Sequence, residues 1–166
     1  MDIYEPMSST NNELNENSAF AKATADKAAE MIFGLLPEQG PVMVIMDNLG
    51  NCRPSDIERF QQLNIDESLL RELCEKIDDG SEPVLTQVDG ASIVAAQLST
   101  EYADCGYVFI ILPQYSPEST LANIDLIEIL LSQAGLIARL IETNEHLHEL
   151  QAKQWDIYRH CEVSTS

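Results

Sequence analysis

The run YVFIIL at residues 107–112, followed by Pro113 and a Ser-Pro pair leading into a long helical pattern, constrains this chain more than any other feature. Consecutive β-branched and aromatic residues suit a strand covered on both faces, so this run is expected at the centre of a sheet. The helical pattern extends from about Pro117 to Tyr158, with Pro117 suited to a first turn and Glu118 near the positive end of the helix dipole. It carries two stripes. One comprises Ile127, Leu130, Ala134, Ile137 and Ile141; the other comprises Gln133, Leu136, Leu140, Thr143, Leu147, Leu150, Gln154 and Ile157, spaced by alternating threes and fours. The first stripe stops near Ile141, whereas the second runs on for about four more turns, past the reach of a core of this size. That second side needs another helix. A second copy of the chain is the expected source, with Leu136, Leu140, Leu147 and Leu150 in the contact, because an exposed leucine seam in a monomer is an aggregation hazard. The alternative packs the seam on the chain's own helix at residues 19–36.

Composition narrows the partners. A chain of 166 residues, 45% of them hydrophobic, can bury one ordinary core. Its 28 acidic and 9 basic residues give a formal charge of -19. Phosphate backbones and anionic lipid surfaces are repelled by such a surface, so neither nucleic acid nor membrane is an expected partner. No apolar stretch approaches the roughly 18 residues of a membrane span. The opening MDIYEPMSSTNNELNENS lacks the basic and apolar parts of a signal peptide, and a cytoplasmic protein is expected. Cys52, Cys74, Cys105 and Cys161 lie far apart without a CxxC pair, which indicates neither a zinc knuckle nor a disulfide framework.

Residues 1–18 are polar and are expected to form a disordered tail, ahead of a single domain at 19–150 and a helix end with a mobile tail at 151–166. In residues 19–36, Phe20, Thr24, Lys27, Met31 and Leu35 share one side of a predicted helix and Ala21, Ala25, Ala28 and Ile32 another, with Pro37 and Gly40 ending it. PVMVIMDNLGN reads as a strand entering a hairpin. Ser55 and Asp66 are expected to cap two short helices, the second ending at Gly80. Two more strands flank Asp89-Gly90, a dipeptide that favours a hairpin turn.

With elements in this order, the chain resembles a GAF domain, the sensory module of signalling proteins that is related in fold to PAS domains. The resemblance rests on ASIVAAQLS, CGYVFIIL, the Ser116-Pro117-Glu118 loop and QAGLIARLIETNEHL at residues 133–147, and it covers about residues 19–150. It implies an α+β fold: a central antiparallel sheet with short helices on one side and the N- and C-terminal helices on the other. It also implies a non-enzymatic signalling module that dimerises through its long helix, with a small molecule as candidate ligand and a signalling protein as candidate partner. The residue set of cyclic-nucleotide-binding GAF domains is absent, and no cysteine is followed by the His of bilin-attaching ones. No cofactor is indicated.

Arg53, Phe60, Leu70, Leu73, Val94, Ala96 and Phe109 are the candidate pocket residues, chosen to face the gap between sheet and helices. Arg53 could grip a carboxylate or pair with Asp56 or Glu58. No catalytic or metal-binding set is expected: His146 and His148 stand two apart and so face different sides of a helix, and glycines do not cluster into a phosphate loop. Two other functions remain. One is a ligand-free assembly module, which a filled core would favour. The other follows from the resemblance, since free methionine sulfoxide reductases are stand-alone GAF proteins of similar length. Cys52, Cys74 and Cys105 would then supply a nucleophile and a resolving thiol.

Overall fold

The computed structural model describes residues 10–163 of the backbone and the side chains of residues 22–160. Helix α1 spans Thr10–Phe33. It begins within residues 1–18, the segment expected as a tail, of which residues 1–9 lie outside the described residues. Ala25, Ala28 and Ile32 are buried as their spacing requires, together with Ala29 and Thr24, whereas Met31 and Leu35 are exposed. Phe20 and Ala21 belong to the part of α1 whose side chains are not described.

Strand β1 (Val42–Met46) pairs with β2 (Cys52–Pro54) across a turn organised by Asp47. Its carboxylate accepts from the N–H groups of Leu49 and Asn51, each at 2.9 Å, and from the Asn51 amide at 2.8 Å. Helix α2 (Ile57–Gln62) is capped by Asp56, which accepts from the Arg59 N–H. Ser55 instead bridges back to β1: its hydroxyl accepts from the Met43 N–H at 3.0 Å and its N–H donates to the Met43 carbonyl at 2.7 Å. Helix α3 (Glu67–Asp78) is capped by Asp66, as the sequence predicts, and buries Leu70, Leu73, Cys74 and Ile77 along one face. Strands β3 (Val84–Val88) and β4 (Ala91–Ser99) enclose the Asp89-Gly90 turn, and Gly90 adopts the positive φ of 77° that such turns require.

Strand β5 (Asp104–Pro113) is central in the order β2-β1-β5-β4-β3, with every neighbouring pair antiparallel. Near its start, a Cβ on Gly106 would come within 2.1 Å of the Met46 carbonyl oxygen, so β1 and β5 can approach there only because the residue is glycine.

The helical pattern after Pro113 is two helices rather than one: α4 (Pro117–Ala122) and α5 (Ile124–Val163). Asn123 separates them. Its amide donates to the Ser119 carbonyl at 2.7 Å and its N–H to the Thr120 carbonyl, so a short polar side chain closes α4, and α5 starts from the Asn123 carbonyl. α5 is 40 residues long, about 60 Å.

The pleat sorts side chains onto two faces. Met43, Ile45, Val94, Ala96, Leu98, Val108 and Ile110 meet α1 and α5; Val42, Val44, Ile93, Ala95, Phe109 and Ile111 meet α3 and α2. The observed fold is therefore α+β, with the short helices on one side of the antiparallel sheet and the terminal helices on the other.

Candidate functional site

The outer face of α5 is the most conspicuous surface of the molecule. Ile127, Ala134, Ala138 and Ile141 point into the core, with Leu130 and Ile137 half-buried beside them. Directly opposite, Leu136, Leu140, Leu147, Leu150 and Ile157 are between 54% and 65% exposed. The α1 helix packs against α5 through its alanines on the inner side and leaves these residues open. Two further exposed residues, Leu126 and Ile129, continue the same spacing toward the N-terminus of α5. The stripe predicted from periodicity starts at Gln133 and leaves them out. Their signal was available as one more heptad, but the change of helix at Asn123 was not.

The inner face carries one carboxylate that periodicity did not single out. Glu142 is only 2% exposed and accepts a hydrogen bond from the Thr100 hydroxyl at the β4–β5 connection. That hydroxyl in turn accepts from the Ala103 N–H at 3.0 Å. Nearby, the His146 ring stacks on Tyr102 with centroids 5.4 Å apart, while His148 is exposed. Lys27 of α1 is ion-paired with Glu145 of α5. These contacts fix the middle of α5 to the body. Beyond residue 150 the described side chains of the helix are all exposed.

The seven candidate pocket residues are not brought together. Leu70, Leu73 and Phe109 are fully buried in the apolar cluster on the α3 face, with Phe60 half-buried against it. Val94 and Ala96 lie on the opposite face of the sheet, under α1 and α5. The reason is strand parity: in β4, Val94 and Ala96 point away from Ile93 and Ala95, and only the latter pair faces α3. Ala96 borders a cleft of about 570 Å³ between β4 and α5 that also involves Glu82, Gln97, Glu128 and Arg139. Arg53 is taken by Asp26 of α1, at 3.1 Å, rather than by Asp56 or Glu58.

The thiols are equally divided. Cys105 lies on the α5 face and Cys74 on the α3 face, so the sheet separates them and they do not form a nucleophile and resolving pair. Burial pushes Cys74 up to about 12, with the Asp78 charge adding to it. Burial likewise pushes Cys105 up to about 11, with Glu142 contributing. Cys52, half-buried beside the Cys74 cluster, is also raised, by burial and then by Glu67 and Asp47. An activated thiol needs the opposite environment. All three are free, and Cys161 lies outside the described side chains.

No family model matches the chain, and no curated protein matches it. Among solved structures, the E. coli DhaR(N)-DhaL complex aligns with 90% of this chain and 59% of that chain, at 14% identity and a TM-score of 0.45. The GAF domain/HD domain protein from Geobacter sulfurreducens aligns with 76% of this chain and 97% of that chain, at 16% identity and a TM-score of 0.35. This chain thus spans less than two thirds of the first structure. At these TM-scores neither likeness carries an argument about function. Among the described residues, no helix is long and apolar enough to cross a membrane.

Proposed function

We propose that the chain is a non-enzymatic, GAF-like signalling module of the cytoplasm that dimerises through α5. The supporting observation is the exposed seam: seven large aliphatic residues from Leu126 to Ile157 on the side of α5 turned away from its own core. Burying a leucine or isoleucine is worth about 1.5–3 kcal/mol, so a seam of this length meeting its like offers ample driving force for association. In a sensory module, such a helix pair is also the element through which a change in one body reaches the other.

A ligand-free assembly module is the second reading, favoured by the packing of Leu70, Leu73 and Phe109, which have no exposed surface where a ligand was expected. Native mass spectrometry of gently purified protein separates the two readings. A dimer with added small-molecule mass supports the sensor, and a dimer of bare chain mass supports the assembly module. The variant Leu140→Asp/Leu147→Asp is expected to be a folded monomer. If it keeps the parent's mass in solution, the seam is not the contact.

A further inference from the structure

We infer that the second copy lies parallel to the first and in register, a pairing selected by the polar positions of the seam. This rests on the dimer reading above and specifies it. The described seam has ten positions at alternating spacings: Leu126, Ile129, Gln133, Leu136, Leu140, Thr143, Leu147, Leu150, Gln154 and Ile157. Seven are aliphatic and exposed, and the remaining three, Gln133, Thr143 and Gln154, are polar and exposed.

In a parallel, in-register pair every position meets its own copy. Gln133 then faces Gln133, Thr143 faces Thr143 and Gln154 faces Gln154. Each amide or hydroxyl both donates and accepts, so each polar layer can satisfy itself. An antiparallel pair centred on the stretch from Gln133 to Ile157 sets Gln133 against Ile157, Thr143 against Leu147 and Gln154 against Leu136. Sliding that pair to include Leu126 sets Gln133 against Leu150, Thr143 against Leu140 and Gln154 against Ile129. Either way, three polar groups are desolvated against aliphatic side chains that cannot bond them.

The flanks of the seam point the same way. The edge that precedes each first position carries Asp125, Ser132, Arg139, His146 and Lys153; the edge that follows each second position carries Leu130, Ile137, Asn144, Gln151 and Tyr158. In a chain with 28 acidic residues, these edges carry one, Asp125, at the start of the seam, and none from Ser132 to Tyr158. A parallel pair places the basic edge of one copy against the neutral edge of the other, with Arg139 near Asn144 and Lys153 near Tyr158. The centred antiparallel pair places the basic edge against itself, with Arg139 facing Lys153 twice.

The test uses Gln154→Cys in a Cys161→Ser background, with sedimentation for mass and oxidation by diamide, an azo compound that takes up the two electrons and two protons as the disulfide forms. Buried Cys74 and Cys105 react slowly under the same conditions. In the parallel pair the two introduced thiols meet at an effective concentration on the order of millimolar, so linked dimer dominates and its yield is unchanged by roughly tenfold dilution. A dimer that does not link at residue 154, but links when Gln154→Cys and Leu136→Cys chains are mixed, overturns the orientation and leaves the dimer reading intact. A monomer overturns both. The selecting role of the polar layers is read with Leu147→Cys as reporter: replacing Gln133, Thr143 and Gln154 by Leu should retain the dimer while lowering linked yield at least about twofold, because other pairings become accessible. Unchanged yield overturns that role.

Discussion

Along α5, Ile127, Ala134, Ala138 and Ile141 are buried against the sheet and α1, whereas Leu136, Leu140, Leu147 and Leu150, larger side chains on average, are left more than half exposed. The difference lies in what each stripe can approach. Ala134 and Ala138 of α5 are buried in the same apolar cluster as Ala25, Ala28 and Ala29 of α1, and small residues on two helices let their backbones come close. Leucines in those places would hold the helices apart. Apolarity alone therefore does not say which stripe is core; side-chain size against the available partner does. The large stripe is the one built to insert into a facing helix.

The sharpest way to break this comparison is to put the same charge on each stripe. Ala138→Asp buries an unpaired carboxylate and is expected to cost about 4 kcal/mol or more, which should abolish the folded circular dichroism signal. Leu140→Asp is expected to leave each chain within about 0.5 kcal/mol of the parent monomer, because the new charge stays in water, while weakening association. Similar loss of fold in both variants would show that the outer stripe is core after all. A milder pair follows: Ile127→Ala should cost about 2–5 kcal/mol in denaturant unfolding, through lost contacts and the cavity left behind. Leu147→Ala should alter only the concentration dependence of the transition.

Next in size is the polar contact that pins the inner stripe. Thr100→Val removes the hydroxyl that donates to buried Glu142 and is expected to cost about 1–3 kcal/mol, because the carboxylate loses that partner while remaining out of water. Thr100→Ser, which keeps the donor, should recover most of the loss in thermal unfolding.

The thiols sharpen the comparison most gently, since they report on the two sheet faces separately. The folded values of Cys105 and Cys74, raised to about 11 and about 12, mean that the native state favours the neutral thiols. Their contribution to stability is fully present below the ordinary thiol value near 9 and is lost as pH rises through the folded values. Unfolding midpoints should accordingly fall between about pH 9 and 12. At pH 8, Cys105 should alkylate at least about tenfold more slowly in the folded chain than in the unfolded one, because burial favours the neutral thiol and limits access to it. Near-equal rates would show that the α5 face opens readily. Mass-resolved labelling distinguishes Cys105 from Cys74.

Much of the fold was legible because its signals are local. YVFIIL is central, Asp89-Gly90 forms a hairpin turn, Asp66 caps α3, and the spacing of Leu70, Leu73, Cys74 and Ile77 describes the buried face of that helix. Where local signals were weak, the reading slipped by a residue or an element. Asp56 rather than Ser55 caps α2, because Ser55 is engaged by β1, and a serine's choice between those roles depends on a strand twelve residues away. Asn123 divides the exit helix by bonding its own preceding turn, a competition that helical periodicity does not register. The candidate pocket residues divide between the two faces of the sheet for a different reason. Choosing residues that line a gap requires knowing the parity of each strand relative to the helices, and β4 is apolar on both faces.

The sequence by itself determined the order and type of most elements, the continuity of the outer stripe to Ile157, and the acidic character of the whole. Capping, turn chemistry and periodicity act over a few residues, so they are written in the chain. Only the tertiary structure decided which stripe of α5 is covered, that Arg53 belongs to Asp26, that Cys74 and Cys105 are separated by the sheet, and that Glu142 is buried on Thr100. Each of these depends on residues distant in sequence coming together, and that depends on how closely two helices and a sheet can pack.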